Sequence, residues 1–378
     1  MDQERFDRIR LARCEGIGPV GYRQAIRRFG SAGEALRVLP QLAGQNGRRA
    51  VHIAEERFVA REVERMAALG ASWLIRGDDD YPALLEEISD APPVLALRGD
   101  RALLQGRCVA MVGARNASAA ACRIARDMAR ELALEGHAVV SGLARGVDTA
   151  AHQGALVAGD AGGTVAVIAS GIDIAYPPEN AVLQQRIAEE GLLIAEQPMG
   201  AEPRARNFPY RNRIIAGLSL ATLVVEAAPK SGSLITARLA ADYGREVLAV
   251  PGSPLDERAR GCNELIRNGA TLVQGAADVM EAIAPFSLAQ PALPLEDRPP
   301  VPERARPPQA PAPALAPAKA MEPQAMLSLL GAVPVAVDEL IRQSGLDPSM
   351  VQMTLLELEM EGRLERHPGA RVALRPVS

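Results

Sequence analysis

Short apolar runs alternate with longer helical stretches between residues 108 and 250, and this alternation leaves few folds open to the chain. Continuous apolar runs are typical of parallel strands that are buried on both faces of a sheet. The predicted strands are Cys108–Val112, His137–Val140, Thr164–Ala169, Leu192–Ala195, Ala221–Val225 and Glu246–Val250. The predicted helices between them are Ala117–Glu135, Asp148–Ala158, Glu179–Glu190, Arg211–Leu218 and Ser233–Gly244. Strands and helices in this order form a doubly wound parallel sheet of the α/β class.

The chain as a whole divides into segments of different composition. We predict a small helical domain over residues 1–75, which show no strand-like alternation, and the sheet domain over residues 76–285. Proline and alanine dominate residues 286–320, so we expect an extended linker there. A second small, mainly helical domain is predicted over residues 321–378.

Charge and composition exclude several classes of protein. The net charge is −4 at pH 7, so a nucleic-acid site has to come from local clustering of cations. The four cysteines and four histidines are scattered, which disfavours a disulfide framework and a metal site. The first ten residues are mostly charged, and no apolar run reaches about 18 residues. We therefore expect a cytoplasmic protein that does not enter a membrane.

Ligands of such sheets bind beyond the carboxyl ends of the strands. The loops predicted at that edge are Gly113–Asn116, Ser141–Asp148, Ser170–Asp173, Gln197–Tyr210 and Ala227–Ser233. They are rich in glycine, serine and cations, and most lead into a helix, so their N–H groups and helix dipoles suit phosphates. The first loop lacks the GxGxxG fingerprint, and the chain has no GxxxxGK[ST] motif, so no nucleotide cofactor is expected.

The segment Arg204–Arg213 carries the sharpest functional signal. Four arginines and two asparagines surround Phe208 and Tyr210, although the whole chain has only eleven aromatic residues. Proteins that bind single-stranded DNA combine cations for the phosphates with flat rings for the bases in this way. The alternative is a solvated basic helix start whose Phe208 turns into the core.

Three other polar residues of the sheet domain have ordinary structural interpretations beside functional ones. Asp148 is expected to cap the amino terminus of a helix rather than to act in catalysis. Glu226 follows an apolar strand and either holds an arginine of a neighbouring loop or serves as a general base. His152 lies one turn into a predicted helix, where packing is expected.

Several of these motifs together resemble the DNA-processing protein A family, also called DprA or Smf. The residues that carry the resemblance are Gly113–Arg115, Ser141–Asp148, Phe208–Ile215, Ser231–Ala237, Pro251-Gly252 and Gly261–Ile266. It covers approximately residues 80–275 and implies a Rossmann-like domain that binds single-stranded DNA without strong sequence preference. It further implies a homodimer that protects incoming DNA during natural transformation and loads the RecA recombinase onto it.

The resemblance also implies a DNA pocket on particular side chains. These are Arg115, Ser141, Gly142, Gly171, Asn207, Phe208, Arg211, Asn212 and Lys230. We expect Arg115 and Lys230 to meet phosphates and Phe208 to lie close to a base. The same loops and the basic segment add the candidates Gly113, Arg145, Gly146, Ser170, Arg206, Arg213, Ser231 and Gly232.

The two flanking domains show weaker motifs. Gly16–Pro19 resembles the turn of a helix-hairpin-helix, which either contacts a DNA phosphate or serves only protein contacts. The predicted elements of the last domain are helices at Pro323–Leu330, Val337–Ser344 and Pro348–Glu361 and a β-wing within Gly362–Leu374. This order resembles a winged helix, but its third helix is acidic, which favours a protein contact or weak duplex binding.

Three functions compete at this stage. The first is a single-stranded DNA-binding protein that loads a recombinase and is not an enzyme. The second is a hydrolase of the nucleoside-monophosphate phosphoribohydrolase type, whose usual PGGxGTxxE stretch is replaced here by Pro229–Ala237, without the glutamate. The third is a transcription factor acting through the last domain. We expect the first.

Overall fold

The structure is a computed structural model of the chain. It describes residues 1–42, 52–284, 329–331, 334–344, 346, 350–351, 354–355, 358, 363–367 and 371–374. The chain divides into two compact units, Met1–Ala292 and Leu293–Ser378. The linker predicted at residues 286–320 and most of the helix predicted at Pro323–Leu330 lie outside the described residues.

Most of the first unit is one mostly parallel sheet with helices on both faces. Its strands are β1 (Ser72–Ile75), β2 (Val94–Gly99), β3 (Arg107–Val112), β4 (His137–Ser141), β5 (Gly163–Ile168), β6 (Leu192–Ala195), β7 (Ala221–Val224), β8 (Glu246–Ala249) and β9 (Thr271–Leu272). Their order across the sheet is β1-β2-β6-β5-β4-β3-β7-β8-β9. The pairs β1–β2 and β2–β6 are antiparallel, and the others are parallel. This confirms the predicted α/β class and adds an antiparallel margin.

Alternate residues of each strand face opposite layers of helices, which is why the strands read as continuous apolar runs. The helices of the first unit are α1 (Gln3–Ala12), α2 (Pro19–Phe29), α3 (Ala32–Leu42), α4 (Glu56–Ala68), α5 (Ala83–Glu87), α6 (Ala119–Leu134), α7 (Val147–Ala155), α8 (Ala181–Glu190), α9 (Asn207–Leu218), α10 (Gly232–Asp242), α11 (Arg260–Arg267) and α12 (Ala276–Ile283). Helices α5, α9, α10 and α11 pack on one face, and α6, α7 and α12 pack on the other.

The ends of the six predicted strands differ from those observed by at most one residue, but two expectations about neighbouring segments are wrong. The stretch up to residue 75 is not entirely helical, because β1 lies at its end and pairs with β2. Helix α9 begins at Asn207 rather than at Arg211, so the basic segment itself forms the first turn of that helix.

Helices α1 to α3 form a small cluster of their own, with Leu11, Tyr22 and Leu36 buried inside it. The helices α1 and α4 also pack against β1 and β2 through Ile9, Val59 and Met66. The side chain of Arg13 is only 7% exposed and donates a hydrogen bond to each carboxylate oxygen of Glu62, both at 2.9 Å. It donates a third hydrogen bond to the backbone oxygen of Glu196. These contacts join the first helices firmly to the sheet.

The second unit has a three-stranded sheet and a helix in its described part. The strands are β10 (Val335–Ala336), β11 (Leu364–His367) and β12 (Arg371–Leu374), in the order β10-β12-β11, and the helix is α13 (Val337–Ser344). Helix α13 has the predicted bounds, and β11 and β12 form an antiparallel pair where the wing is predicted. The acidic helix predicted at Pro348–Glu361 lies largely outside the described residues. The boundaries predicted for the domains remain predictions.

Candidate nucleic-acid interface

The order in which the chain adds strands to the sheet reverses between β3 and β7. Strands β4, β5 and β6 follow β3 on one side, whereas β7, β8 and β9 build up on the other. The loops that leave β3 and β7 therefore diverge and open a cleft at the carboxyl edge, which is the usual ligand position in such folds. A cavity of about 440 Å³ lies there, between Gly113–Asn116 on one side and Ala228–Ser233 on the other. We call it the switch-point groove.

The walls of the switch-point groove present free amides and cations. The backbone N–H groups of Gly113–Asn116 have no acceptor among the described residues, and neither do those of Lys230 and Gly232. Arg115 and Lys230 are exposed, and Lys230 adopts the left-handed conformation with φ at 68°. Helices α6 and α10 begin immediately after these loops, so their positive dipole ends face the same cleft. This wall is suited to phosphate groups.

Arg211 forms the floor of the groove. The residue is only 7% exposed, and its Nε has no hydrogen-bond partner. Burial lowers the pKa of Arg211 to about 10, while the carboxylate of Asp148 opposes this shift and Arg115 adds to it. No carboxylate among the described residues lies within 4.0 Å of its guanidinium group. A buried cation without a close counter-ion is prepared for an anionic ligand.

A second, smaller cavity adjoins the groove, and we call it the Tyr176 cavity. Its volume is about 240 Å³, and its lining includes Tyr176, Arg145 and Leu143. It shares Arg115, Phe208, Arg211 and Ala144 with the switch-point groove, so the two spaces are adjacent. Arg145 is exposed at its rim, where it lies 3.6 Å from Glu179. An aromatic cavity beside a cationic groove fits a chain of phosphates that carries flat bases.

The loop after β4 differs from the expectation that all these loops offer free amides. The amides of Gly142 and Ala144 donate to Oδ2 of Asp148, at 3.2 and 3.3 Å. The amide of Leu143 donates to Nε2 of His152 at 3.3 Å. These donors point into the protein, so this loop supplies shape and the side chain of Arg145 rather than N–H groups for phosphates.

Asp148 is therefore not the helix cap that the sequence predicts. Helix α7 begins at Val147, which places Asp148 inside its first turn with the carboxylate folded back onto the preceding loop. Burial raises the pKa of Asp148, and the guanidinium group of Arg211 and the two amides oppose this shift. The carboxylate thus holds the loop in place and faces the buried cation.

His152 accepts a hydrogen bond from the same loop and is held inside the protein by a second contact. Its Nδ1 lies 2.7 Å from Oγ1 of Thr164, which in turn donates to the oxygen of Val139. The ring is therefore neutral, with its proton on Nδ1 donated to Thr164 and Nε2 accepting from Leu143. Burial lowers the pKa of His152 from 6.5 to about 3.

This lowered pKa predicts a loss of stability in acid. The unfolded chain binds the imidazole proton below pH 6.5 and the folded chain does not, so stability falls as the pH drops from 6.5 towards 3. At pH 5 the loss amounts to about 2 kcal/mol for this one group. We expect the difference in the free energy of unfolding between wild type and His152→Gln, measured with urea, to be smaller at pH 5 than at pH 7 by that amount. An equal loss in both proteins would contradict the assignment.

Glu226 holds the start of a helix and not an arginine of a neighbouring loop, which was one of its two suggested roles. Its two carboxylate oxygens accept from the amide and the hydroxyl of Ser118, at 3.0 and 2.6 Å. The same hydroxyl accepts from the amide of Ala121 and so caps helix α6. No arginine among the described residues forms an ion pair with Glu226. The residue fixes the start of the helix whose dipole faces the switch-point groove.

The structure brings together most, but not all, of the predicted site residues. The predicted residues that line the two cavities are Gly113, Arg115, Gly142, Arg145, Phe208, Arg211, Asn212, Lys230, Ser231 and Gly232. The predicted residues that are buried in supporting positions are Ser141, Ser170, Gly171, Asn207 and Arg213. Gly146 packs against the backbone of Ala114 and Arg115, and Arg206 is exposed just before α9; neither lines a cavity.

The buried residues have partners that explain their positions. Ser141 donates to the oxygen of Met111, and Asn207 donates to that of Ala169. Arg213 is 3% exposed, donates to the oxygen of Asp90 at 2.6 Å and forms an ion pair with Glu196. Its guanidinium group is thereby neutralised inside the protein. We correct the prediction accordingly and assign Arg213 to the support of the fold.

Tyr176 is the functional candidate that the sequence prediction missed. It lines its cavity with 40% of its surface exposed, and its ring centroid lies 5.8 Å from that of Phe208. The sequence signal that could have found it is the scarcity of aromatic residues in the chain. Tyr176 is one of the few, and it lies in the loop after β5, directly before Pro177 and Pro178.

Among the described residues no group of three or more histidine, cysteine, aspartate or glutamate side chains could hold a metal ion.

The fold and the site together define a class: a Rossmann-like α/β protein whose sheet edge carries a cationic groove beside an aromatic cavity. Three family models match the chain. They are the DNA recombination-mediator protein A family over residues 72–284, the DprA-like N-terminal helix-hairpin-helix domain over residues 2–65 and the DprA winged helix domain over residues 309–370. The chain therefore belongs to the DprA/Smf family of DNA-processing proteins.

Similar proteins support this membership along the chain. Protein Smf of Synechocystis sp. is 34% identical over 385 residues, which cover 95% of this chain and 96% of that protein. DNA processing protein DprA of Streptococcus pneumoniae is 45% identical over 203 residues, covering 54% of this chain and 71% of that one.

No helix among the described residues is long and apolar enough to cross a membrane.

Solved structures show the same architecture. The X-ray structure of DNA processing protein A from Streptococcus pneumoniae superposes with a TM-score of 0.62 at 34% identity, covering 74% of this chain and 98% of that chain. The protein from Helicobacter pylori, whose structure describes its single-stranded DNA binding mode, superposes with a TM-score of 0.51 at 30% identity. It covers 57% of this chain and 96% of that chain.

Proposed function

We propose that this protein binds single-stranded DNA along the switch-point groove and the Tyr176 cavity, without reading base edges. The observation that carries the proposal is the convergence of Arg115, Arg211 and Lys230 on one cleft that also holds an aromatic pair. Cations and free amides bind phosphates of any sequence, and rings accept any base. The single-stranded DNA binding of the Helicobacter pylori relative supports the same ligand class.

The proposed interface consists of the residues that line the two cavities. Arg115, Lys230 and the amides of both loops would hold phosphates on the exposed wall, and Arg211 would meet one from below. Asn212, Ser231 and Gly232 complete the groove, while Gly142 and Arg145 border the smaller cavity. The exposed cation Arg206 lies just before α9 and would extend the path of the strand.

We propose a binding role rather than catalysis. Asp148, which lines the groove, and Glu226, which follows β7, are buried, and each accepts hydrogen bonds from donors of the protein itself. Asp148 accepts two backbone amides, and Glu226 accepts the amide and hydroxyl of Ser118. Neither is placed as the free base that a hydrolase of the phosphoribohydrolase type needs.

The wider cellular role is proposed from membership of the family. In this role the protein acts in the cytoplasm as a homodimer, protects incoming single-stranded DNA during natural transformation and loads the RecA recombinase onto it. The winged helix and the helix-hairpin-helix would then be accessory contacts to protein or DNA. The family models over residues 2–65 and 309–370 support the presence of both domains.

Fluorescence anisotropy of labelled oligo-dT across a salt series tests the proposed function. We expect affinity that falls steeply as salt rises, with a logarithmic slope of about −0.7 for each phosphate neutralised. A blunt duplex of the same length should bind at least about tenfold more weakly, because its bases are not free to stack. Absence of binding to oligo-dT at low salt would refute the proposal, and nucleoside monophosphates should then be assayed for hydrolysis.

A further inference from the structure

The ring of Phe208 is surrounded on the side of the groove by other groups of the protein. The guanidinium carbon of Arg115 lies 5.1 Å from the ring centroid, and that of Arg211 lies 5.9 Å from it. The ring of Tyr176 leans against it at a centroid distance of 5.8 Å with an interplanar angle of 58°. These are the distances of cation–π and tilted aromatic contacts. A base that stacked on Phe208 would have to compete with these groups for the ring.

Tyr176 has the opposite environment. It touches Phe208 on one side, yet 40% of its surface remains exposed, and it opens onto the cavity of about 240 Å³. No cation among the described residues stacks on its ring. Arg145 at the rim and Arg115 at the junction with the groove supply cations next to this ring. The free ring face therefore belongs to Tyr176 rather than to Phe208.

The two cations that Phe208 contacts differ in how they are held. Arg115 is exposed and extends from a loop, so without a contact its long side chain would adopt many rotamers. Arg211 is buried and has no close carboxylate, so a ring quadrupole is one of the few groups that favour its charge there. Phe208 thus limits the positions of two groups that face phosphates.

We propose that the two aromatic residues have separate tasks: Phe208 positions the guanidinium groups of Arg115 and Arg211, and Tyr176 stacks with one nucleobase of the bound strand. This inference rests on the proposed binding of single-stranded DNA. Phe208 is then a positioning residue for phosphate contacts, and Tyr176 is the residue that distinguishes a strand with bases from a bare sugar–phosphate backbone.

The test uses two ligands, labelled oligo-dT and an abasic strand of the same length, which keeps every phosphate but has no base. Each is titrated by fluorescence anisotropy across a salt series. The full-length variants are Tyr176→Ala, Tyr176→Phe, Phe208→Leu and, as the matched control, Phe58→Ala. Phe58 is also an exposed aromatic, at 51% of its surface, but lies on α4 and lines neither cavity. Phe208→Leu keeps apolar volume in the half-buried position and removes the aromatic ring.

Tyr176→Ala should weaken oligo-dT binding about tenfold, equivalent to about 1.4 kcal/mol, and change binding of the abasic strand less than about twofold. Tyr176→Phe should restore the wild-type affinity because it keeps the ring. Phe208→Leu should weaken both strands by the same factor and reduce the steepness of the salt dependence. Phe58→Ala should leave the binding of both strands unchanged.

The opposite pattern overturns the inference. If Phe208→Leu impairs only oligo-dT, or Tyr176→Ala impairs both strands equally or neither, the assignment of tasks is wrong while DNA binding stands. If wild type binds no oligo-dT, the proposed function itself fails and the inference fails with it. Thermal unfolding of each variant separates a loss of binding from a loss of fold.

Discussion

Replacing Arg115 and Lys230 together by alanine is expected to weaken binding of oligo-dT at least about 100-fold, or ~2.7 kcal/mol, at low salt. The two residues are exposed on opposite walls of the switch-point groove, next to free amides, and neither has an ion-pair partner among the described residues. Their loss also removes two phosphate contacts, so the logarithmic salt slope should become shallower by about 1.4. Anisotropy titrations across a salt series measure both quantities.

A control must remove the same charge elsewhere on the same domain. Arg107 begins β3 at the opposite edge of the sheet, and Arg130 lies three turns along α6; both are exposed. The double variant Arg107→Ala and Arg130→Ala should keep affinity within about threefold, because long-range attraction between exposed charges is screened by salt. If both double variants lose affinity equally, binding follows net charge and the groove is not the site.

Gly146→Ala is expected to destabilise the sheet domain by about 3 kcal/mol or more and to abolish the groove with it. Gly146 has φ at 77° and ψ at −121°, a conformation that only glycine adopts readily. A Cβ there would lie 2.3 Å from the backbone oxygen of Ala114 and 2.7 Å from that of Arg115. The methyl group would push the loop after β4 away from the loop after β3, which forms one wall of the groove.

Urea unfolding and oligo-dT titration of the same samples test this prediction. Gly232→Ala is the matched control, because Gly232 lines the groove, has an ordinary φ and a Cβ there would meet no atom within 4 Å. We expect Gly232→Ala to retain stability and to bind within a few-fold of wild type. Wild-type stability in Gly146→Ala would show that the two loops move apart easily and that close packing does not define the groove.

The local sequence pattern was sufficient to predict a strand or a helix where that element is determined by its own apolar residues. The central strands β3 to β8 are buried on both faces, so each is a continuous apolar run that differs from the amphipathic helices on either side. The strand β1 has only four residues, with three buried in succession, and therefore shows no alternation. Its membership of the sheet depends on antiparallel pairing with β2, in which Ser72 lies opposite Leu97 and Ile75 lies opposite Val94.

In the candidate site, too, the sequence identified an element, and the tertiary structure decided which of its side chains face the ligand. A sequence motif grouped Arg211 and Arg213, but residues two apart on a helix point about 200° from each other. Arg211 consequently reaches the groove, while Arg213 is buried against Glu196 and Asp90 on the other side of α9. The motif identified the element correctly, and only its orientation in the fold separated a ligand-facing cation from a structural one.

The sequence by itself determined the α/β class, the order of the central strands and helices, and the loops that meet at one sheet edge. These follow from apolar periodicity and from the rule that parallel strands end on the same side. Only the tertiary structure decided which amides stay free, that Asp148 and His152 hold the loop after β4, and that Tyr176 joins Phe208. Such contacts join residues that are distant in the chain, and their distances depend on how the loops pack, which no local pattern encodes.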